Sequence, residues 1–158
     1  MLLSSVYGPE FIKTGLEAEN KDEAFEELVD YFCQVTGSNA REEILDSVRE
    51  REDKMSTGIK KGIGVPHGRT NAVDDVYGVL GISKKGVDYD ALDGAPVYII
   101  FLMLAPEKDE AEKHLGLLKR LAELLEAPEF FTELLAQNDA QSAYGVIRRH
   151  EDIFIALD

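Results

Sequence analysis

The longest apolar stretch of this 158-residue chain reads Val97-Tyr98-Ile99-Ile100-Phe101-Leu102-Met103-Leu104-Ala105. A helix that spans a bilayer needs about 20 apolar residues, so this stretch is too short to cross a membrane. Its β-branched and aromatic residues are typical of a buried strand. A second strand is predicted for residues 76–83, which are also aliphatic, and Asp93-Gly94 supplies a turn between the two.

Helical periodicity flanks these two strands on both sides. Residues 22–35 carry apolar side chains at helical spacing, and a second helix is predicted to begin after Asn39. We expect the Asn39 side chain to cap that helix, with Glu42 completing an N-x-x-E box. Further helices are predicted over 109–125, 128–135 and 139–149. Strands enclosed by helices predict an α/β fold with a covered β-sheet, formed as one domain by residues 1–158.

The charge of the chain excludes some classes of function. Lys and Arg number 17 and Asp and Glu 31, which gives a formal net charge of -14. Nucleic acids and anionic membranes are bound by clusters of basic residues, so we predict neither as a partner. Cys33 has no second cysteine with which to form a disulfide, and the N-terminus lacks the features of a signal peptide. These features predict a cytoplasmic protein.

His67 is the first candidate for chemistry. It lies in Gly62-Ile63-Gly64-Val65-Pro66-His67-Gly68-Arg69, after a predicted short strand and before a predicted turn. Pro66 restricts the backbone before His67, and the glycines allow backbone to pass close to a bound group. An imidazole held in this way is suited to ligand binding or catalysis at the end of a strand. A turn histidine that only satisfies a backbone carbonyl is the alternative.

Two further side chains are candidates. His114 shares a helical stripe with several leucines, a position that equally suits a buried core histidine. Arg51, at the end of the second helix, carries a guanidinium that can bind a phosphoryl group through two hydrogen bonds or pair with neighbouring acidic residues. His67 and His114 with one carboxylate would make a zinc site, although their spacing matches no zinc-binding motif. Residues 58–68 lack the Gly-Lys-Ser/Thr ending of a nucleotide-binding loop, and no cofactor is predicted.

Three motifs together resemble a known family. They are Arg51-Glu52 followed by Ser56-Thr57-Gly58, then Gly62 to Gly68, and then the helical segment Lys113 to Ala122. In this order they are similar to the fructose–mannitol class of IIA domains of the bacterial sugar phosphotransferase system, which includes the nitrogen-regulatory IIA proteins. The resemblance covers nearly the whole chain and implies a mixed central β-sheet flanked by α-helices.

The resemblance also implies roles for individual residues. His67 would accept a phosphoryl group from the histidine phosphocarrier protein, with His114 as its neighbour and Arg51 binding the phosphoryl group. Neutral imidazole is a good nucleophile near pH 7, which suits this chemistry. Further phosphoryl-binding donors would come from Ser56, Thr57 and Gly58.

Two downstream roles follow from the resemblance. His67 either passes its phosphoryl group to a IIB partner during sugar uptake, or its phosphorylation state regulates target proteins. A metal-dependent hydrolase that uses His67 and His114 is the alternative from another class. Several basic residues lie near His67 in the sequence. An approaching partner protein would therefore meet a basic site on an otherwise acidic molecule. These residues are Arg51, Lys60, Lys61 and Arg69.

Overall fold

Strand pairing around the long apolar stretch organises the computed structural model, which describes residues 2–108 and 111–157. Both predicted strands are present, and the second of them lies at the centre of the sheet. The strands are β1 (Ile12–Thr14), β2 (Gly58–Lys60), β3 (Ile63–Gly64), β4 (His67–Arg69), β5 (Tyr77–Val87) and β6 (Val97–Ala105).

The sheet has six strands in the order β1-β5-β6-β3-β2, with β4 also paired to β6. β5 and β6 are antiparallel, as are β2 and β3, whereas β1 runs parallel to β5, and both β3 and β4 run parallel to β6. Both directions therefore occur in one sheet. The prediction of an α/β fold with a mixed central sheet is confirmed.

β5 continues beyond its predicted end at residue 83. The exposed Lys84 and Lys85 interrupt the apolar pattern, and the pairing with β6 shifts register between Ile82 and Val87. Gly86 adopts a positive φ of 88° inside this irregular stretch. A bulge of this kind interrupts the alternation of inward and outward side chains, so the sequence pattern does not show that the strand continues.

The helices lie on both faces of the sheet. They are α1 (Leu3–Val6), α2 (Lys21–Thr36), α3 (Arg41–Lys54), α4 (Ala111–Leu125), α5 (Pro128–Leu135) and α6 (Ala140–Leu157), with a 3-10 turn at Pro9–Phe11. The predicted start of the fourth of these, at residues 109–110, lies outside the described residues. α6 runs well past its predicted end at residue 149, because Phe154 still packs against the core.

The prediction for the cap of α3 was wrong. Ala40 occupies the N-cap position and makes no side-chain cap bond, whereas the Asn39 side chain takes no part. An asparagine cap is present instead at the start of α2. There Asn20 is the N-cap residue, and its Oδ1 accepts a hydrogen bond from Glu23 N over 2.9 Å. Both asparagines have a Glu three residues later in the sequence, so that pattern alone does not separate them.

β6 is buried on both faces because helices cover each side of the sheet. Alternate residues of β6 enter two apolar layers. Ile99, Phe101 and Met103 pack with residues of α1, α4, α5 and α6, and Ile100, Leu102 and Leu104 pack with residues of α2 and α3. This double burial explains why the stretch is continuously apolar. Within the described part of the chain, we find no helix that is long and apolar enough to span a membrane.

Truncation of a β6 side chain should measure the dependence of the fold on this layer. We expect Phe101→Ala to lower the free energy of unfolding by about 3–5 kcal/mol, because its ring is buried against Tyr7 and Phe130. Denaturant unfolding measures the change. Ile153→Ala, at an exposed position of α6, is the control and should change that free energy by less than about 0.5 kcal/mol. Equal effects of the two substitutions would contradict this account.

Candidate active site

His67 is the first residue of β4, and this strand is placed by β6. β3 and β4 lie in succession along one edge of β6, with Ile63 opposite Ile99 and His67 opposite Met103. Pro66 lies between them and cannot donate a hydrogen bond, but its carbonyl accepts one from Met103 N over 3.0 Å. The sequence prediction put a turn after His67. The structure instead continues as a strand, so the ring lies beside the sheet edge.

Gly68 brings helix α3 close to β4. A Cβ atom at Gly68 would lie 3.1 Å from both the Ser47 carbonyl carbon and Val48 N, so a larger residue would push the helix away. The sequence predicts that this glycine makes room for a bound group. Gly68 does line a cleft beside His67, and it also makes room for α3. The close packing carries the end of α3, and with it Arg51, over His67.

Hydrogen bonds define the state of the His67 ring. Nδ1 lies 3.0 Å from the Val65 carbonyl oxygen, and a carbonyl only accepts, so Nδ1 carries the proton. Nε2 therefore has the lone pair, and it accepts a hydrogen bond from Arg51 Nε over 3.1 Å. Arg51 also donates from Nη1 to the Met55 carbonyl over 2.9 Å, which anchors the guanidinium at the end of α3. The ring thus presents its nucleophilic nitrogen to a cation.

His114 joins this pair from helix α4. Its ring centroid lies 5.0 Å from that of His67, with the two planes at 61°. His114 is buried, as the core-histidine alternative requires, but it is buried against His67. The structure therefore brings together three residues that are far apart in the sequence: His67, His114 and Arg51.

Two clefts meet at His67 and Arg51, which line both. The first, of about 370 Å³, is lined largely by residues with charged or polar side chains and is called the polar cleft below. Glu50, Lys54, Arg69 and His114 also line it. The second, of about 300 Å³, is mostly apolar. Its other lining residues are Met55, Ser56, Thr57, Val65, Leu92, Leu118, Leu121 and Ala122.

The predicted basic group around His67 is partly present. Arg51 and Arg69 line the polar cleft, whereas Lys61 is exposed at the turn between β2 and β3. The side chain of Lys60 lies outside the described residues. Lys54, which the sequence analysis did not single out, adds a further cation to the cleft.

The three predicted phosphoryl-binding residues, Ser56, Thr57 and Gly58, follow α3, and their polar groups have different hydrogen-bond partners. Ser56 is half-buried, and its Oγ accepts a hydrogen bond from Gly58 N over 3.2 Å, which leaves the hydroxyl proton available. The Thr57 hydroxyl is buried and bonded to Glu52 Oε2 over 2.6 Å and to Tyr89 OH over 2.7 Å. It is not directed to a phosphoryl group on His67. The predicted hydroxyl role therefore remains for Ser56 alone.

Glu52 and Tyr89 belong to the site region, but neither was predicted to have a role there, although Glu52 is part of the first motif. Glu52 lies in a charged run that suggests solvated surface. A signal was nevertheless present, because Ile44, Val48 and Glu52 are spaced four residues apart and share the buried face of α3. Tyr89 carried no comparable signal.

The surroundings of His67 lower its pKa. Burial is the largest cause, since it disfavours the charged ring, and the charges of Arg51 and Arg69 also lower the pKa. The hydrogen bond to the Val65 carbonyl and the charge of Glu52 act in the opposite direction without reversing the shift. His67 is therefore neutral at pH 7 and has its Nε2 lone pair available.

A zinc site lacks support in the geometry. Among residues 2–108 and 111–157, no group of three or more His, Cys, Asp or Glu side chains is arranged to hold a metal ion. The rings of His67 and His114 contact each other, and His67 also accepts a hydrogen bond from Arg51, whose charge disfavours a cation beside it.

Comparisons with known proteins agree with the geometry. A nitrogen regulatory protein of Bradyrhizobium diazoefficiens is 32% identical over 147 residues, which are 93% of this chain and 95% of that protein. The fructose-specific EIIABC component of Bacillus subtilis is 33% identical over 140 residues, 89% of this chain and 22% of that protein. The crystal structure of nitrogen regulatory protein IIA-Ntr from Neisseria meningitidis has a TM-score of 0.83 at 26% identity, covering 92% of this chain and 98% of that one.

The family model for the phosphoenolpyruvate-dependent sugar phosphotransferase system, EIIA 2, matches residues 5–150. This match extends from α1 into α6 and includes all three motifs on which the resemblance rested. Neither the family nor these relatives support the hydrolase alternative. The chain belongs to the EIIA 2 family of the sugar phosphotransferase system.

Proposed function

We propose that Nε2 of His67 accepts a phosphoryl group from the phosphohistidine of the histidine phosphocarrier protein. The observation that carries this proposal is the hydrogen bond from Nδ1 to the Val65 carbonyl, because it leaves the lone pair on Nε2, where it can attack once the hydrogen bond from Arg51 is released. Membership of the EIIA 2 family supports the same chemistry. The protein is then a phosphoryl carrier that acts as a phosphotransferase.

The transfer step needs positioning and charge neutralisation more than covalent assistance. As the bond between Nε2 and phosphorus forms, the bond from phosphorus to the donor nitrogen breaks, and the donor ring leaves with that electron pair. Positive charge then develops on His67, and the Val65 carbonyl stabilises it through the proton on Nδ1. Arg51 moves its Nε donor from Nε2 to the phosphoryl oxygens, and His114 and Ser56 supply further donors.

Apolar side chains beside the clefts suit the approach of a partner protein. Met55 is 61% exposed and Leu92 is 68% exposed, and both line the apolar cleft. Leu115, next to His114 in α4, is 61% exposed. Large apolar side chains that are exposed beside a reactive group mark a docking surface. We propose that the histidine phosphocarrier protein covers these residues during transfer.

The relatives support two downstream roles. One is named a nitrogen regulatory protein and another a fructose-specific EIIABC component. We propose that phosphorylated His67 either transfers its phosphoryl group to a IIB partner or engages regulatory targets. Mixing the phosphorylated protein with a purified fructose-type IIB domain separates these roles, because only a transfer partner removes the phosphoryl group.

Phosphorylation tests the proposal directly. Incubation with phosphoenolpyruvate, enzyme I and the histidine phosphocarrier protein should add the mass of one acid-labile phosphoryl group. His67→Ala should abolish this gain. His150→Ala is the matched control and should keep it, because His150 lies on α6 against Phe130 and Glu133. A mass gain that persists in His67→Ala would refute the role of His67.

Arg51 provides a second test. We expect Arg51→Ala to slow phosphoryl transfer about 100-fold or more, because a donor to the phosphoryl oxygens is lost. Its thermal unfolding should change little, since the guanidinium is partly exposed. Arg49→Ala is the control, because Arg49 faces Asp22 and Glu26 instead of His67. Rapid-quench measurement of phosphorylated protein gives both rates, and equal rates would exclude the proposed role.

The pH dependence follows from the lowered pKa of His67. Neutral imidazole is the attacking form, so at pH 6.5, the ordinary histidine pKa, the rate should still exceed half of its maximum and should fall to half only at a lower pH. NMR titration of the His67 ring in the unphosphorylated protein should place its pKa below that of a histidine peptide. A rate that is already halved at or above pH 6.5 would contradict the burial of the ring.

A further inference from the structure

Glu52 is a buried carboxylate that directly follows Arg51 in helix α3. It is only 6% exposed. Adjacent helical residues point about 100° apart, so Arg51 faces His67 while Glu52 faces the interior. A buried carboxylate is costly unless hydrogen bonds and a cation satisfy it, so its partners indicate what it holds in place.

The cation beside Glu52 is Lys21, whose Nζ lies 3.4 Å from Glu52 Oε1. Lys21 is the first residue of α2, and a positive charge at the start of a helix is unfavourable next to the positive end of the helix dipole. Glu52 lies in the last turn of α3, where a negative charge is unfavourable next to the negative end of the dipole. Both residues therefore occupy positions that are unfavourable for their own helices. The stability of the two helices therefore does not explain why these residues are paired, and the other contacts of Glu52 need to be considered.

Glu52 holds Thr57 at two points. Oε1 accepts a hydrogen bond from Thr57 N over 2.9 Å, and Oε2 accepts one from the Thr57 hydroxyl over 2.6 Å. The hydroxyl has a single proton, so Tyr89 OH must be the donor in its 2.7 Å contact with Thr57 Oγ1. Burial raises the pKa of Tyr89, which keeps this phenol protonated. The side chain and the amide of Thr57 are thereby fixed.

Thr57 in turn reaches His67 through one residue. Its carbonyl oxygen accepts a hydrogen bond from Val65 N over 2.9 Å. The Val65 carbonyl accepts the hydrogen bond from His67 Nδ1. An unbroken series of hydrogen bonds therefore leads from the Glu52 carboxylate through the backbone of Thr57 and Val65 to the catalytic ring.

The Tyr89 ring packs against the two strands next to this series of hydrogen bonds. A Cβ atom at Gly64 would lie 2.9 Å from Tyr89 Cζ, and one at Gly58 would lie 3.2 Å from Tyr89 Cδ1. The ring thus lies against the backbone of both β2 and β3. Because these strands lead into Val65, a shift of the Thr57–Tyr89 pair would displace the carbonyl that holds Nδ1.

We infer that Glu52 is a positioning residue which, through Thr57 and Val65, keeps the proton of His67 on Nδ1 and the lone pair on Nε2. The consequence for phosphoryl transfer rests on the proposed function, whereas the position of the proton does not. Loss of the Glu52 charge should let the Val65 carbonyl move, which leaves the hydrogen bond from Arg51 Nε to favour a lone pair on Nε2. Part of the population should then carry the proton on Nε2, a form that cannot attack phosphorus through that atom.

The position of the proton can be measured in the unphosphorylated full chain. Ring ¹⁵N chemical shifts of His67 should report protonation on Nδ1 in the unsubstituted protein and a mixture of tautomers in Glu52→Gln. Phosphoryl acceptance by Glu52→Gln should fall about 10- to 100-fold, the range found when residues that orient metal-ligating histidines are changed. The charge-preserving variant Glu52→Asp should recover part of both signals.

Glu151→Gln is the matched control. Glu151 is also buried and accepts hydrogen bonds from the backbone N–H groups of Leu3 and Ser4, over 2.7 and 3.1 Å. Its substitution should lower the unfolding temperature, as we also expect for Glu52→Gln, without altering the His67 tautomer. An altered tautomer in both variants, or in neither, would overturn the inference.

Thr57→Val provides a second variant if Glu52→Gln does not fold. It removes the hydroxyl but keeps the amide that donates to Glu52, and Thr57→Ser restores the hydroxyl. We expect the tautomer to change in Thr57→Val and to recover in Thr57→Ser, and an unchanged tautomer in a folded Thr57→Val would overturn the inference. If the unsubstituted protein accepts no phosphoryl group, the proposed function fails, while the ¹⁵N shifts still decide the role of Glu52.

Discussion

The burial of β6 on both faces, together with its pairing along both edges, is the constraint on which this structure depends. One edge pairs with β5, and the other pairs first with β3 and then with β4. Because the strand is enclosed, its register cannot slip by one residue without exchanging the two apolar layers. His67 is opposite Met103 in that register, so the packing of the core also determines where the reactive ring lies.

Helix α3 links this core to the chemistry. Gly68 lets the helix approach β4 closely, and the end of the helix then carries two opposite charges in succession. Arg51 faces the His67 ring and lowers its pKa, whereas Glu52 faces inward and raises it. In the proposed function the arginine meets incoming phosphoryl oxygens, and in our further inference the glutamate holds the backbone that orients the ring. The last turn of α3 therefore contains both the residue proposed to bind the phosphoryl group and the residue inferred to position His67.

Much of the fold was predictable from pattern, and the errors have identifiable causes. Long periodic segments gave both central strands and all five of the predicted helices. β4 was missed because Pro66 and Gly68 suggest a turn, and only the pairing with β6 makes an extended strand favourable there. The cap at Asn39 failed because an asparagine–glutamate spacing also occurs at Asn20, and tertiary packing decides which one operates.

By itself, the sequence determined the α/β class, the family, and the identity of His67, His114 and Arg51 as the residues of interest, because motif order and periodicity are local properties. Only the tertiary structure decided that His114 lies 5.0 Å from His67, that the lone pair is on Nε2, and that the Thr57 hydroxyl is committed to Glu52. These facts depend on distances between segments far apart in the chain. No pattern of residue types along the chain encodes such distances.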